Sequence, residues 1–198
     1  MLNNQQKLFL YAAIIVAVIT GFAACTNSSG EPKEPVGISQ DSLVKRGEYL
    51  VTIAGCDDCH TPKKMGAMGP EPDMSLRLSG YRSAVTFPKV DTNIIKQGWA
   101  LANPDLTGWA GQWGASFAAN ITSDETGIGN WSYDQFKKAF TQGKWKGLDN
   151  ARPLMPPMPW QNFKNMAEGD VRSIFAYLKS TKPIKNIEPP IKAFSSLQ

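Results

Sequence analysis

Cys56-Asp57-Asp58-Cys59-His60 constrains this chain more than any other stretch. Two thiols separated by two residues, with a histidine directly after the second, form the pattern by which c-type haem is held. Both cysteines bond the porphyrin vinyl groups, and the histidine takes an axial position on iron. The same five residues also suit a redox-active CxxC, a zinc half-site or a plain disulfide. Zinc fails on counting: a structural site needs four ligands, His60 is the one histidine in 198 residues, and no second Cys/His pair exists to complete the set.

The length allows one ordinary domain with a real core. A net charge of +4 is too mild to suggest nucleic acid as a partner. Residues 1–24 read as an export signal, with Lys7 as the positive end, an apolar run from Leu8 to Ala24, and small residues before Cys25. Phe22-Ala23-Ala24-Cys25 resembles a bacterial lipoprotein box, with Phe22 where leucine is usual, so Cys25 is expected to be the lipidated first residue of the mature chain. A plain signal peptide or an uncleaved anchor of 17 residues, at the short end of spanning length, are the other readings. All three place the folded part outside the cytoplasm, as expected of a periplasmic, membrane-anchored lipoprotein. Residues 25–40 are rich in Ser, Gly, Pro and Glu and read as a lipid-anchored flexible tether with a reach of about 20 Å. The domain is expected over 41–198.

Within it, Asp41 is expected to cap a helix carrying Leu43, Val44, Leu50, Val51 and Ala54, which runs into the motif. Gly47 in mid-helix costs about 1 kcal/mol against alanine and so calls for a close packing partner. Residues 61–119 are broken by many glycines and prolines, and short strands or single helical turns are expected there. Trp99, Trp109, Trp113, Tyr81, Phe87 and Phe117 are too many large rings to leave in water. Ser132 with Gln135 is a capping-box pattern opening a helix that Gly143 closes, and a last helix is expected from about Ala167 to Ser180. The tail after Pro183 reads as bound to the surface.

If His60 is one axial ligand, the other cannot be histidine, and methionine is the leading choice. Met155 and Met158 both lie in a stiff stretch, each followed by proline. At this level the two remain open.

The helix with Gly47, the motif at Cys56 to His60, the loop Met158-Pro159-Trp160 and the final Ala176-Tyr177-Leu178 resemble the monohaem class I cytochromes c. Asn120 to Trp131 and Met158 to Phe163 resemble more narrowly the haem modules of bacterial membrane-associated cytochromes, including cytochrome c subunits of periplasmic alcohol and sugar dehydrogenases. Those subunits often carry three such modules, where this chain has one. The resemblance implies a mainly α fold of three or more helices around one covalent haem c, with 61–119 as an enlarged, loop-rich insertion. It selects Met158 over Met155 as the second iron ligand, beside His60. It implies that Gly47 and Leu50 pack against Tyr177, and that Asn120, Ile121 and Thr122 lie by the cofactor. The function it implies is one-electron transfer, not catalysis, between a dehydrogenase, a respiratory complex or a terminal oxidase or reductase. Lys63, Lys64, Lys144, Lys146 and Lys164 are candidates for steering an acidic partner. The competing reading is a haem enzyme or sensor with an open sixth iron position for peroxide or a gas; a haem-free CxxC thiol oxidoreductase is a third.

Overall fold

The computed structural model describes residues 39–197. The export signal, Cys25 and all but the end of the tether lie outside the described residues. Helix α1 spans Gln40–Ile53, and Ser39, not Asp41, is its cap. Ser39 has extended backbone and its Oγ accepts from the Ser42 N–H at 3.2 Å. Asp41 already has helical neighbours on both sides. In the first turn its charge suits the positive helix end and meets Lys45 at 2.8 Å.

Against α1 packs α5 (Glu168–Ser180), the last helix. Gly47 makes this possible: a Cβ there would lie 1.9 Å from the Ser173 carbonyl oxygen and 2.6 Å from Tyr177 Cβ. Leu50 and Val51 then meet Val171, Ile174, Tyr177 and Leu178 in one apolar cluster, which also takes in Leu78, Ile128, Phe136 and Phe140. At the rim, Arg46 Nε donates to Asp170 Oδ1 at 2.9 Å and ties the two helices together.

Helix α4 (Tyr133–Gln142) carries the expected reciprocal capping box of Ser132 and Gln135 and ends at Gly143 in the left-handed region, φ 66°. Phe136, Ala139 and Phe140 are its buried stripe. Phe140 stacks on Phe163 with ring centroids 4.5 Å apart, linking α4 to the stretch after the prolines.

The insertion holds two small antiparallel sheets, so the chain is mainly helical with minor strand content. Strands β1 (Lys63–Gly66) and β2 (Gly69–Pro72) form a hairpin directly after the motif. After the short helix α3 (Thr92–Lys96) come β3 (Leu101–Ala102), β4 (Gly108–Gly111) and β5 (Gly114–Phe117) in sheet order. Tyr81, Phe87 and Phe117 pack on one another with centroids 4.7–6.3 Å apart, a small core belonging to the insertion itself. Trp99 departs from expectation: just past α3, it is 64% exposed.

The tail does more than lie on the surface. Asn186 Nδ2 donates to the carbonyls of Ser79 at 2.7 Å and Tyr81 at 2.8 Å, while its backbone N–H reaches Thr126 Oγ1 at 3.0 Å. Lys192 pairs with Ala115 on the free edge of β5. Among the described residues, no helix is long and apolar enough to cross a membrane.

Candidate functional site

Gly55, in the left-handed region at φ 68°, turns the chain from α1 into the five-residue helix α2 (Cys56–His60). Three residues apart on α2, Cys56 and Cys59 share one side of it. Both are free, half-buried thiols. Burial, helped by Asp57, pushes Cys56 up to about 12, and burial, helped by Asp58, raises Cys59.

Burial lowers the His60 imidazole from its ordinary value, opposed by a hydrogen bond to Ala119. That bond is 2.7 Å long from Nδ1, and since a carbonyl only accepts, Nδ1 carries the proton. A neutral ring anchored through Nδ1 keeps the Nε2 lone pair for a metal, and the carbonyl raises its basicity. The chain is folded to supply this carbonyl. Gly80 N–H donates to His60 O at 2.7 Å, Tyr81 N–H to Ala118 O at 2.9 Å and Ile121 N–H to Leu78 O at 3.0 Å, so residues 78–81 lace the motif to 118–121.

Asn120 and Thr122 spend their side chains within that lacing. Asn120 Oδ1 accepts from Thr122 N–H at 3.0 Å and Oγ1 at 2.8 Å, and Asn120 Nδ2 donates to the Ile184 carbonyl at 2.8 Å. Both shape the segment from its interior, whereas Ile121 packs on the central cluster together with Cys56 and Met158.

Sequence reasoning missed the partner of Asp57. Arg77 grips its carboxylate through Nε to Oδ1 at 3.0 Å and Nη2 to Oδ2 at 2.8 Å, while Thr61 Oγ1 donates to Oδ1 at 2.7 Å. Arg77 Nη1 also donates to the Tyr177 hydroxyl at 2.6 Å, so the interior of the motif is tied to α5. Burial opposes ionisation of Asp57, but the bonds from Arg77 and Thr61 outweigh it and hold the carboxyl below its ordinary value. No sequence pattern announces a pair twenty positions apart whose contact depends on the turn through Leu78, itself at φ 64°. Arg77→Met is expected to cost about 2–3 kcal/mol, less than a fully buried pair because each partner stays about a fifth exposed. A carboxyl with a depressed folded pKa contributes stability above its unfolded value, near 3.9, and loses it as pH falls through the folded value. The urea midpoints of wild type and variant should therefore converge below about pH 4. A gap unchanged down to pH 2 would contradict this role.

Among the methionines, Met158 and Met166 are partly buried against the central cluster. Met158 lines a cleft of about 310 Å³ with Leu154, Pro156, Pro157, Pro159 and Trp160. Met155 belongs to neither set, and Met65, Met68 and Met74 are exposed. Lys63 is not free to steer a partner. Its Nζ donates to the carbonyls of Asp57, Asp58 and Thr61 at 2.6–3.1 Å, closing the end of α2.

The donor set fits a flat apolar iron porphyrin better than a bare ion. Two half-buried thiols and an imidazole anchored through Nδ1, all on one short helix, are the soft and nitrogen donors c-type haem uses. Among the described residues no group of three or more His, Cys, Asp or Glu is placed to hold a metal ion alone.

No family model matches the chain. It is 28% identical, over 84% of its length, to the fructose dehydrogenase cytochrome subunit of Gluconobacter japonicus. To the gluconate 2-dehydrogenase cytochrome c subunit of Pantoea cypripedii it is 31% identical over 70% of the chain. To the cytochrome c subunit of the quinone alcohol dehydrogenase of Gluconacetobacter polyoxogenes it is 33% identical over 93%. The chain spans 27%, 23% and 29% of the lengths of these three relatives.

Proposed function

We propose that this chain, a relative of the cytochrome c subunits of dehydrogenases, is a one-electron carrier of the class I cytochrome c type. His60 and Met158 would hold the iron of one covalently attached haem c. The observation that carries the reading is the half-buried His60 anchored through Nδ1 to Ala119 in a helix that also presents two free thiols. Bound there, haem c supplies a ferric/ferrous couple. Cys56 and Cys59 would hold it by thioether bonds. The carbonyl behind His60 strengthens that ligand, and the Met158 thioether favours the ferrous state and raises the potential. Ile121 and Phe163 pack on the same apolar cluster as Met158, and the grip of Arg77 on Asp57, with its bond to Tyr177, ties the motif to α5.

The chain itself performs no substrate chemistry in this reading. A dehydrogenase delivers electrons, and a respiratory complex or a terminal oxidase or reductase takes them. Lipidation of Cys25 holds the domain at a membrane on the periplasmic side, within reach of both. With His60 and Met158 both on the iron, a further ligand would have to displace one of them. Ferrous protein exposed to carbon monoxide should therefore keep its spectrum, and rapid, stoichiometric binding would move the function to the open-site enzyme or sensor.

A further inference from the structure

We infer that Ser116 is a positioning residue for Met158, acting through the Pro156 carbonyl, so that one stretch of the insertion, residues 116–119, supports both His60 and Met158. This rests on Met158 being the sixth ligand. Trp113 Nε1–H donates to Ser116 Oγ at 3.2 Å, and Ser116 Oγ lies 2.5 Å from the Pro156 carbonyl oxygen. An indole N–H only donates and a carbonyl only accepts, so the hydroxyl passes its own proton to Pro156 and its direction is fixed from both sides.

Nothing in this relay is loose. Ser116 is 7% exposed, and its strand β5 is held on one edge by β4 and on the other by Lys192 of the tail. The Trp113 ring lies so close over Gly111 that a Cβ there would meet it at 2.2 Å. On the receiving side, Pro156 precedes Met158 by two residues in a stretch with no regular secondary structure, where Met158 N–H reaches only the nearby Met155 carbonyl at 3.3 Å. Ser116 is therefore an anchor from outside the loop itself. Three residues after Ser116, Ala119 accepts from His60 Nδ1. Residues 116–119 thus touch the support of His60 and the loop that carries Met158.

The test compares ferric wild type with Ser116→Ala, Ser116→Thr and Trp113→Phe in imidazole binding, since imidazole must displace the methionine. Ser116→Ala should bind imidazole about three- to tenfold more tightly, the scale of one buried hydrogen bond, and should lose the weak far-red band of methionine-ligated ferric iron at lower pH. Ser116→Thr, which keeps the hydroxyl, should restore wild-type affinity, and Trp113→Phe should fall between. A merely structural role would lower the unfolding midpoint and leave imidazole affinity unchanged, and that result in Ser116→Ala overturns the inference. Should Ser116→Ala not fold, Trp113→Phe carries the same comparison, with tighter binding supporting the brace and unchanged binding overturning it. A far-red band missing already in wild type would instead refute Met158 ligation, which separates the two failures.

Discussion

Met158→Ala is expected to abolish the far-red band of the ferric protein, lower its reduction potential and open the iron to carbon monoxide, while Met155→Leu leaves all three unchanged. The contrast rests on placement. Met158 packs on the central cluster with Cys56 and Ile121 and lines the cleft, whereas Met155 does neither although it sits in the same proline-rich stretch. A thioether ligand favours ferrous iron, and axial ligands together span a potential range of roughly 0.8 V, so loss of one should be plain in a redox titration. An unchanged spectrum in Met158→Ala, with the band lost in Met155→Leu, would reverse the assignment.

Gly47→Ala carries the largest expected cost to stability. Helix propensity alone favours alanine by about 1 kcal/mol. Against it stands a Cβ only 1.9 Å from the Ser173 carbonyl oxygen, an atom of the α5 backbone that cannot rotate away as a side chain would. Moving α5 would loosen Leu50, Val51, Val171 and Ile174 together. The strain should win by a net of about 3 kcal/mol, within the upper range for overpacked cores, lowering the thermal midpoint by roughly 6–12 °C for a domain of this size. A midpoint equal to or above wild type would show that the two helices do not meet at Gly47.

The Gly47 expectation can be drafted from the residues because its signal is local, whereas the choice of Met158 over Met155 comes only through the resemblance. A glycine in an otherwise apolar helix face announces a close crossing, and Ser132, Gln135 and Gly143 mark the two ends of α4 by chemistry that acts within three residues. The motif announces its own chemistry because few uses demand two thiols and a histidine at that spacing. The cap of α1 was legible in kind but misplaced by two residues, since Ser39 and Asp41 are both competent caps and only the backbone turn at Ser39 decides between them.

What stayed hidden depends on groups with no sequence signature. The acceptor for His60 is a backbone carbonyl 59 residues away, which any residue at position 119 could supply. Arg77 and Asp57, Ser116 and Pro156, and Asn186 with its carbonyl partners are far apart in sequence and are brought together by the fold of the insertion. For the same reason Asn120 and Thr122, expected beside the cofactor, use their side chains to bond within their own segment.

The absorption spectrum of the protein exported from a host able to attach haem tests the central claim most directly. One haem per chain that stays with the polypeptide through denaturing extraction, with a far-red ferric band in the folded protein, is the predicted result. A folded, exported protein with titratable Cys56 and Cys59 thiols and no haem absorption would contradict it.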